Sequence, residues 1–149
     1  AQGGRLSVGA GPVLSRQDLD AALDAGAQFI VSPTLVREVV EACVVRRIPV
    51  FPGAFTPQEI YDAHLAGATM VKVVPARFLG PAYLEEIKGP FQDIELLACG
   101  GVAPHNVQAF FASGASAVAF GASIFRPDWL EAGEFHKIRQ AIDALIDAA

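Results

Sequence analysis

One lysine, and glycines placed at strand ends, are the residues of this 149-residue chain whose types and spacing could do chemistry. Lys72 stands in the middle of Met70-Val71-Lys72-Val73-Val74-Pro75, a short apolar run bounded by turn signals. A run of this length, rich in β-branched residues, reads as a strand covered on both faces, as in a parallel sheet or barrel. Side chains alternate along a strand, so Lys72 and Val74 share one face and Val71 and Val73 the other. Taking an ammonium out of water disfavours its charge and makes the nucleophilic amine accessible near neutral pH. That is what a Schiff-base lysine requires. The plain structural alternative is a lysine whose stem packs while its head reaches solvent. Two features weigh against it: Lys72 lies inside the run rather than at its edge, and Lys88 and Lys137 sit in helical or polar contexts.

Gly100-Gly101 and Gly121-Ala122-Ser123 close the last two strands of the chain. Glycines there expose backbone N–H groups, and with a following helix N-terminus they make an anion cradle, typically for phosphate. Tight turns alone would also explain them. Ser123 adds a hydroxyl and an N–H to that cradle, or serves as an ordinary helix N-cap. No carboxylate is expected at a strand C-terminus: Glu85 and Glu86 fall in a helix, and Glu95 lies near a strand start. His64, His105 and His136 fall in helices or just before one. A phosphosugar isomerase or epimerase working through a carboxylate or histidine base therefore lacks a well-placed base.

These residues need a scaffold that carries strand ends to one rim. Strands are expected at residues 6–11, 29–33, 48–53, 70–75, 94–99 and 117–120, alternating with helices. Ser15 is a fair N-cap with Asp18 three residues on, Thr34 is expected to cap the second helix, and Thr56-Pro57-Gln58-Glu59 reads as a capping box. Helical patterns follow at 83–88 and 106–112, and residues 135–149 form an amphipathic last helix through Ile138, Ala141, Ile142, Leu145 and Ile146. A Gly-Ala step at 26, 67 and 114 stops a helix just before a strand each time. Six strand-helix units in alternation predict a parallel sheet with right-handed crossovers, in the manner of a (β/α) barrel. A doubly wound open sheet is the alternative, but no GxGxxG opens a helix here.

Composition narrows the partners. The chain is 52% hydrophobic and carries a net charge of −5, with no Lys/Arg cluster, which argues against nucleic acid or an anionic membrane surface. One domain spanning residues 1–149 is expected. Cys43 and Cys99 show no CxxC or metal-like spacing, so a reducing, cytoplasmic setting is the simplest inference. No apolar stretch is long enough to cross a bilayer as a helix.

Val8-Gly9-Ala10-Gly11, Ile30-Val31-Ser32-Pro33, Val50-Phe51-Pro52-Gly53, Val71-Lys72-Val73-Val74-Pro75-Ala76, Gly100-Gly101-Val102 and Gly121-Ala122-Ser123 follow one another in this order. Together they resemble the 2-keto-3-deoxy-6-phosphogluconate (KDPG) aldolase family, which includes the 6-phosphogalactonate and 4-hydroxy-2-oxoglutarate aldolases. The resemblance covers essentially the whole chain. It implies a class I aldolase on a (β/α)8 TIM barrel, usually a homotrimer, in which Lys72 forms the Schiff base. It implies further that Gly100, Gly101, Gly121, Ala122 and Ser123 bind phosphate, and that Pro12, Pro33, Val74, Pro75 and Cys99 line the substrate pocket. The implied reaction cleaves a keto sugar acid to pyruvate and an aldehyde such as glyceraldehyde 3-phosphate. It uses no metal or organic cofactor.

This chain departs from the family pattern in three places. The resemblance starts at the family's third strand, so the chain carries the last six units. Two units, about 50 to 60 residues at this repeat length, are expected upstream, with the family's general acid/base glutamate and a substrate-binding arginine. The family often has threonine where this chain has Pro12, and threonine where it has Cys99. That last position is apolar in the galactonate-type members. A rival reading is a catalytically silent, phosphate-binding fragment stabilised by subunit association.

Overall fold

The computed structural model describes residues 6–149, and the chain divides after Lys72 into two compact units. The first contains α1 (Arg16–Asp24), β1 (Ile30–Val31), α2 (Arg37–Arg46), β2 (Val50–Phe51), β3 (Gly53–Ala54) and α3 (Pro57–Leu65), and β4 (Val71–Val73) reaches its end. β1 and β2 pair in parallel, with Ile30 opposite Val50 and Val31 opposite Phe51. β3 is the hydrogen-bonded neighbour of β4, and the Lys72 N–H donates to the Pro52 carbonyl at 2.8 Å. Leu19 of α1, Val39, Val40 and Cys43 of α2, and Ile30 and Val50 of the sheet close into one core with Val13.

All six expected strands are shorter than expected, and for two of them the reason is visible in the residues. Residues 6–11 make a single parallel bridge, Ala10 to Ile30. Pro12 has no N–H to continue a ladder there. The expected strand at 48–53 is split into β2 and β3 at Pro52, again a residue without a donor. Thr34 does not cap α2. The N-cap is Val36, which makes no side-chain cap bond, because the backbone at Pro33 and Thr34 runs against Gly53: a Cβ on that glycine would fall 2.0 Å from the Pro33 oxygen and 3.0 Å from the Thr34 nitrogen. Ser15 and Thr56 do cap their helices, and the Thr56 capping box with Glu59 is complete.

The second unit carries α4 (Ala76–Lys88), β5 (Leu96–Cys99), α5 (Val107–Ala112), β6 (Ala117–Ala119), α6 (Pro127–Glu131) and α7 (Phe135–Asp147). β5 and β6 are parallel, with Leu97, Ala98 and Cys99 facing Ala117, Val118 and Ala119. α4 begins seven residues before the expected helix at Tyr83 and is broken at Gly80, whose φ of 72° lets the chain turn ahead of Pro81. Ile138 and Leu145 of α7 are buried as expected, whereas Ile146 is exposed.

The Gly-Ala steps share one hydrogen-bonding device. Gly26, Gly67 and Gly114 adopt φ of 91°, 96° and 93°. The N–H of each donates three residues back, to Leu23, His64 and Phe111, and the N–H of the next alanine donates five back, to Ala22, Ala63 and Phe110. This satisfies the orphan carbonyls of the helix end, and the left-handed turn that does so suits glycine. The following residue then docks onto a neighbouring strand start: the Gln28, Thr69 and Ser116 N–H groups donate to the carbonyls of Val8, Val50 and Leu96. Their side chains complete the grip by accepting from the N–H of the same three residues, at 2.9, 2.9 and 3.4 Å. Each step therefore both ends a helix and sets the register of the strand that follows.

Candidate active site

Lys72 occupies the centre of β4 between two fully buried valines and is itself only 8% exposed. It lines a cavity of about 400 Å³ in the first unit. The opposite walls come from the segment Gly9, Ala10, Gly11, Pro12 and from the exit of β1. Phe29, Val31 and Pro33 follow the two-residue alternation of an extended chain and reach this cavity, joined by Ser32 at the β1 exit, while Ile30 is buried on the other face.

Glycine is what lets these walls approach each other. A Cβ on Gly9 would overlap the Phe29 ring at 2.2 Å, and one on Gly11 would fall 3.0 Å from the Val31 oxygen. Ser32, 1% exposed, donates its hydroxyl to the Val13 carbonyl at 2.7 Å. That bond ties the exit of β1 to the stretch carrying Pro12. Of the sequence-expected site residues, Lys72, Pro12 and Pro33 thus line one cavity. Phe29 and Val31 were not expected there, although their spacing from Pro33 carried the signal. No carboxylate or imidazole belongs to this lining among the described residues.

The other expected residues lie in the second unit. Val74 is half-buried, Pro75 is the N-cap of α4, and Cys99 is the last residue of β5. Gly100 and Gly101 follow with φ of 93° and 87°, a conformation that strains any residue with a Cβ. Their turn is braced from three sides. The Arg77 N–H donates to the Gly100 carbonyl at 2.9 Å. The Asn106 amide donates to the Gly101 carbonyl at 3.0 Å and accepts from the Ala103 N–H at 2.9 Å. Ser123 donates its hydroxyl to the Val102 carbonyl at 3.0 Å, which sets the Gly121-Ala122-Ser123 turn beside the glycine turn.

The helix-cap alternative for Ser123 is not realised. The Gly121 carbonyl instead accepts from the Ile124 and Phe125 N–H groups, and the next helix begins at Pro127 with Arg126 as N-cap. The reason is local: residues 121–125 close a turn on Gly121, so helix geometry is delayed until the proline that favours a first turn.

The comparisons with known proteins agree with one another. The family model of the KDPG and KHG aldolases matches residues 2–141. The 2-dehydro-3-deoxy-6-phosphogalactonate aldolase of Escherichia coli K12 is 34% identical over 127 residues, which are 85% of this chain and 62% of that protein. The KHG/KDPG aldolase of the same organism is 32% identical over 143 residues, 95% of this chain and 67% of that protein. The chain therefore spans somewhat under two thirds of the first of these relatives and two thirds of the second. The solved native KDPGal structure shares 31% identity and superposes with a TM-score of 0.86 over 94% of this chain and 66% of that one. The expected α/β fold class is thereby borne out, and the chain belongs to the KDPG and KHG aldolase family.

Proposed function

We propose that this chain carries the imine-forming part of a class I pyruvate aldolase acting on a 2-keto-3-deoxy sugar acid, in its 6-phosphorylated form. The observation that carries the reading is Lys72 itself, buried in the middle of β4 yet facing a cavity large enough for a keto acid. In this reaction the Lys72 amine adds to the C2 carbonyl and water leaves. The resulting iminium accepts the electron pair of the breaking C3–C4 bond, which releases the aldehyde and leaves an enamine. Protonation of the enamine and hydrolysis of the imine release pyruvate and restore the amine.

The apolar walls at Phe29, Val31, Pro12 and Pro33 limit water around the iminium. The proton transfers fall to a group outside that lining. The glycine turn and the 121–123 turn take the phosphate through backbone N–H groups, Ser123 contributing its N–H because its hydroxyl already serves Val102. A homotrimer in the cytoplasm completes the proposal, on the family resemblance alone.

Substrate choice tests the reading. Pyruvate release is measured with KDPG, its galactonate epimer and 4-hydroxy-2-oxoglutarate, comparing kcat/KM. The reading expects release from at least one of them, and its loss in Lys72→Ala. Absence of release from all three, with the protein folded and the full-length chain used, sinks it.

A further inference from the structure

Arg77 stands in the first turn of α4, two residues after Pro75, and its surroundings are unusual for a surface arginine. Its N–H is fixed to the Gly100 carbonyl at 2.9 Å. A Cβ on Gly101 would fall 2.5 Å from the Arg77 Cβ and 3.5 Å from its Cγ, so the arginine stem lies directly on the glycine turn. The guanidinium rests 4.8 Å from the ring centre of Phe78, an aromatic left 70% exposed. Arg16, Arg46, Arg126 and Arg139 each pair with an aspartate, whereas Arg77, like Arg37 and Arg47, makes no ion pair among the described residues.

A phosphate ester presents oxygens that a guanidinium can grip with two parallel hydrogen bonds. A turn of glycines offers N–H groups but no charge. We propose that Arg77 is a substrate-binding residue, which meets the terminal phosphate of a keto acid held at the Gly100–Gly101 turn and favours phosphorylated over unphosphorylated substrates. The inference rests on the phosphate reading of the preceding subsection. Phe78 then has a purpose as well: its ring, 4.8 Å from the guanidinium carbon, restricts the cation before substrate arrives, at little cost, since cation–ring contacts at exposed sites are weak.

The test uses glycerol 3-phosphate, which has no carbonyl and so binds without forming an imine. Its affinity is measured by calorimetry for the wild type, Arg77→Ala and Arg77→Lys. Loss of a charge-assisted contact predicts about tenfold weaker binding in Arg77→Ala. Arg77→Lys should fall between that variant and the wild type, because it keeps the charge but not the fork.

A merely structural Arg77 would lower Tm on substitution and leave the affinity unchanged, and that result overturns the proposal. So does a wild type that fails to bind the ester. Failure of the aldolase reading is separable: it appears as an absence of any pyruvate-dependent adduct on Lys72 while ester binding still depends on Arg77.

Discussion

At the scale of single residues, the cavity depends on side chains that hold its walls in place. Ser32 is the clearest. Its buried hydroxyl gives the Val13 carbonyl a partner at 2.7 Å, and truncating a buried donor costs about 1–3 kcal/mol when its acceptor is left without one. Ser32→Ala is therefore expected to lower stability by about that amount in urea denaturation and to weaken binding of any keto acid, since the Pro12 wall loses its tie. An unchanged midpoint would show that Val13 finds another donor. Lys72 was legible in the sequence because a charge inside a β-branched run has few explanations. Phe29 and Val31 were not singled out: their two-residue spacing puts them on the face of Pro33, but an apolar side chain by itself does not mark that face as a cavity wall. Thr34 misled because Ser/Thr at a helix start is only a preference, and the close packing of Gly53 on Pro33 outweighed it.

At the scale of elements, the three Gly-Ala steps predict where substitutions hurt. Gly26 has open space around its Cα, so Gly26→Ala introduces backbone strain and no clash, expected to cost about 1–2 kcal/mol. Arg47 supplies the contrast. It closes α2 with φ of 57°, the one non-glycine residue with positive φ among the described residues. Arg47→Gly should relieve strain there and raise Tm slightly, opposite in sign to Gly26→Ala. Thermal unfolding of both variants checks the pair, and a loss of Tm in Arg47→Gly would contradict the account.

The capping box of α3 makes a pH prediction. The Thr56 and Phe55 N–H groups and the Thr56 hydroxyl all donate to Glu59, holding its carboxyl below the usual carboxylate range. A carboxyl more acidic in the folded state stabilises that state above its unfolded pKa, and the benefit is lost as pH falls through the folded value. The Tm gap between wild type and Glu59→Ala should thus be full at neutral pH and shrink below about pH 4.3. Capping boxes and Gly-Ala stops were readable because they are local chemistry. The break at Gly80 and the short helix α6 were missed, since a Gly-Pro pair and a five-residue helix carry too few residues for periodicity to show.

At the scale of the whole chain, the alternation of strand and helix was legible because the same turn chemistry recurs before successive strands. Strand lengths were not, because Pro12 and Pro52 remove donors without disturbing the apolar pattern. The sequence led to the expectation of no base at a strand end, and the Lys72 cavity is lined by glycine, alanine, proline, phenylalanine, valine, serine and the lysine itself. What the order of motifs added was the chemistry: a lysine in a cavity admits several uses, and imine formation is the one that the family resemblance proposes. The central claim is that Lys72 forms that imine, and borohydride reduction in the presence of pyruvate tests it most directly. Digestion and mass spectrometry should find a reduced pyruvate adduct confined to the peptide that contains Lys72, and none in folded Lys72→Ala. An unlabelled wild-type protein, or label on Lys88 or Lys137 instead, would contradict it.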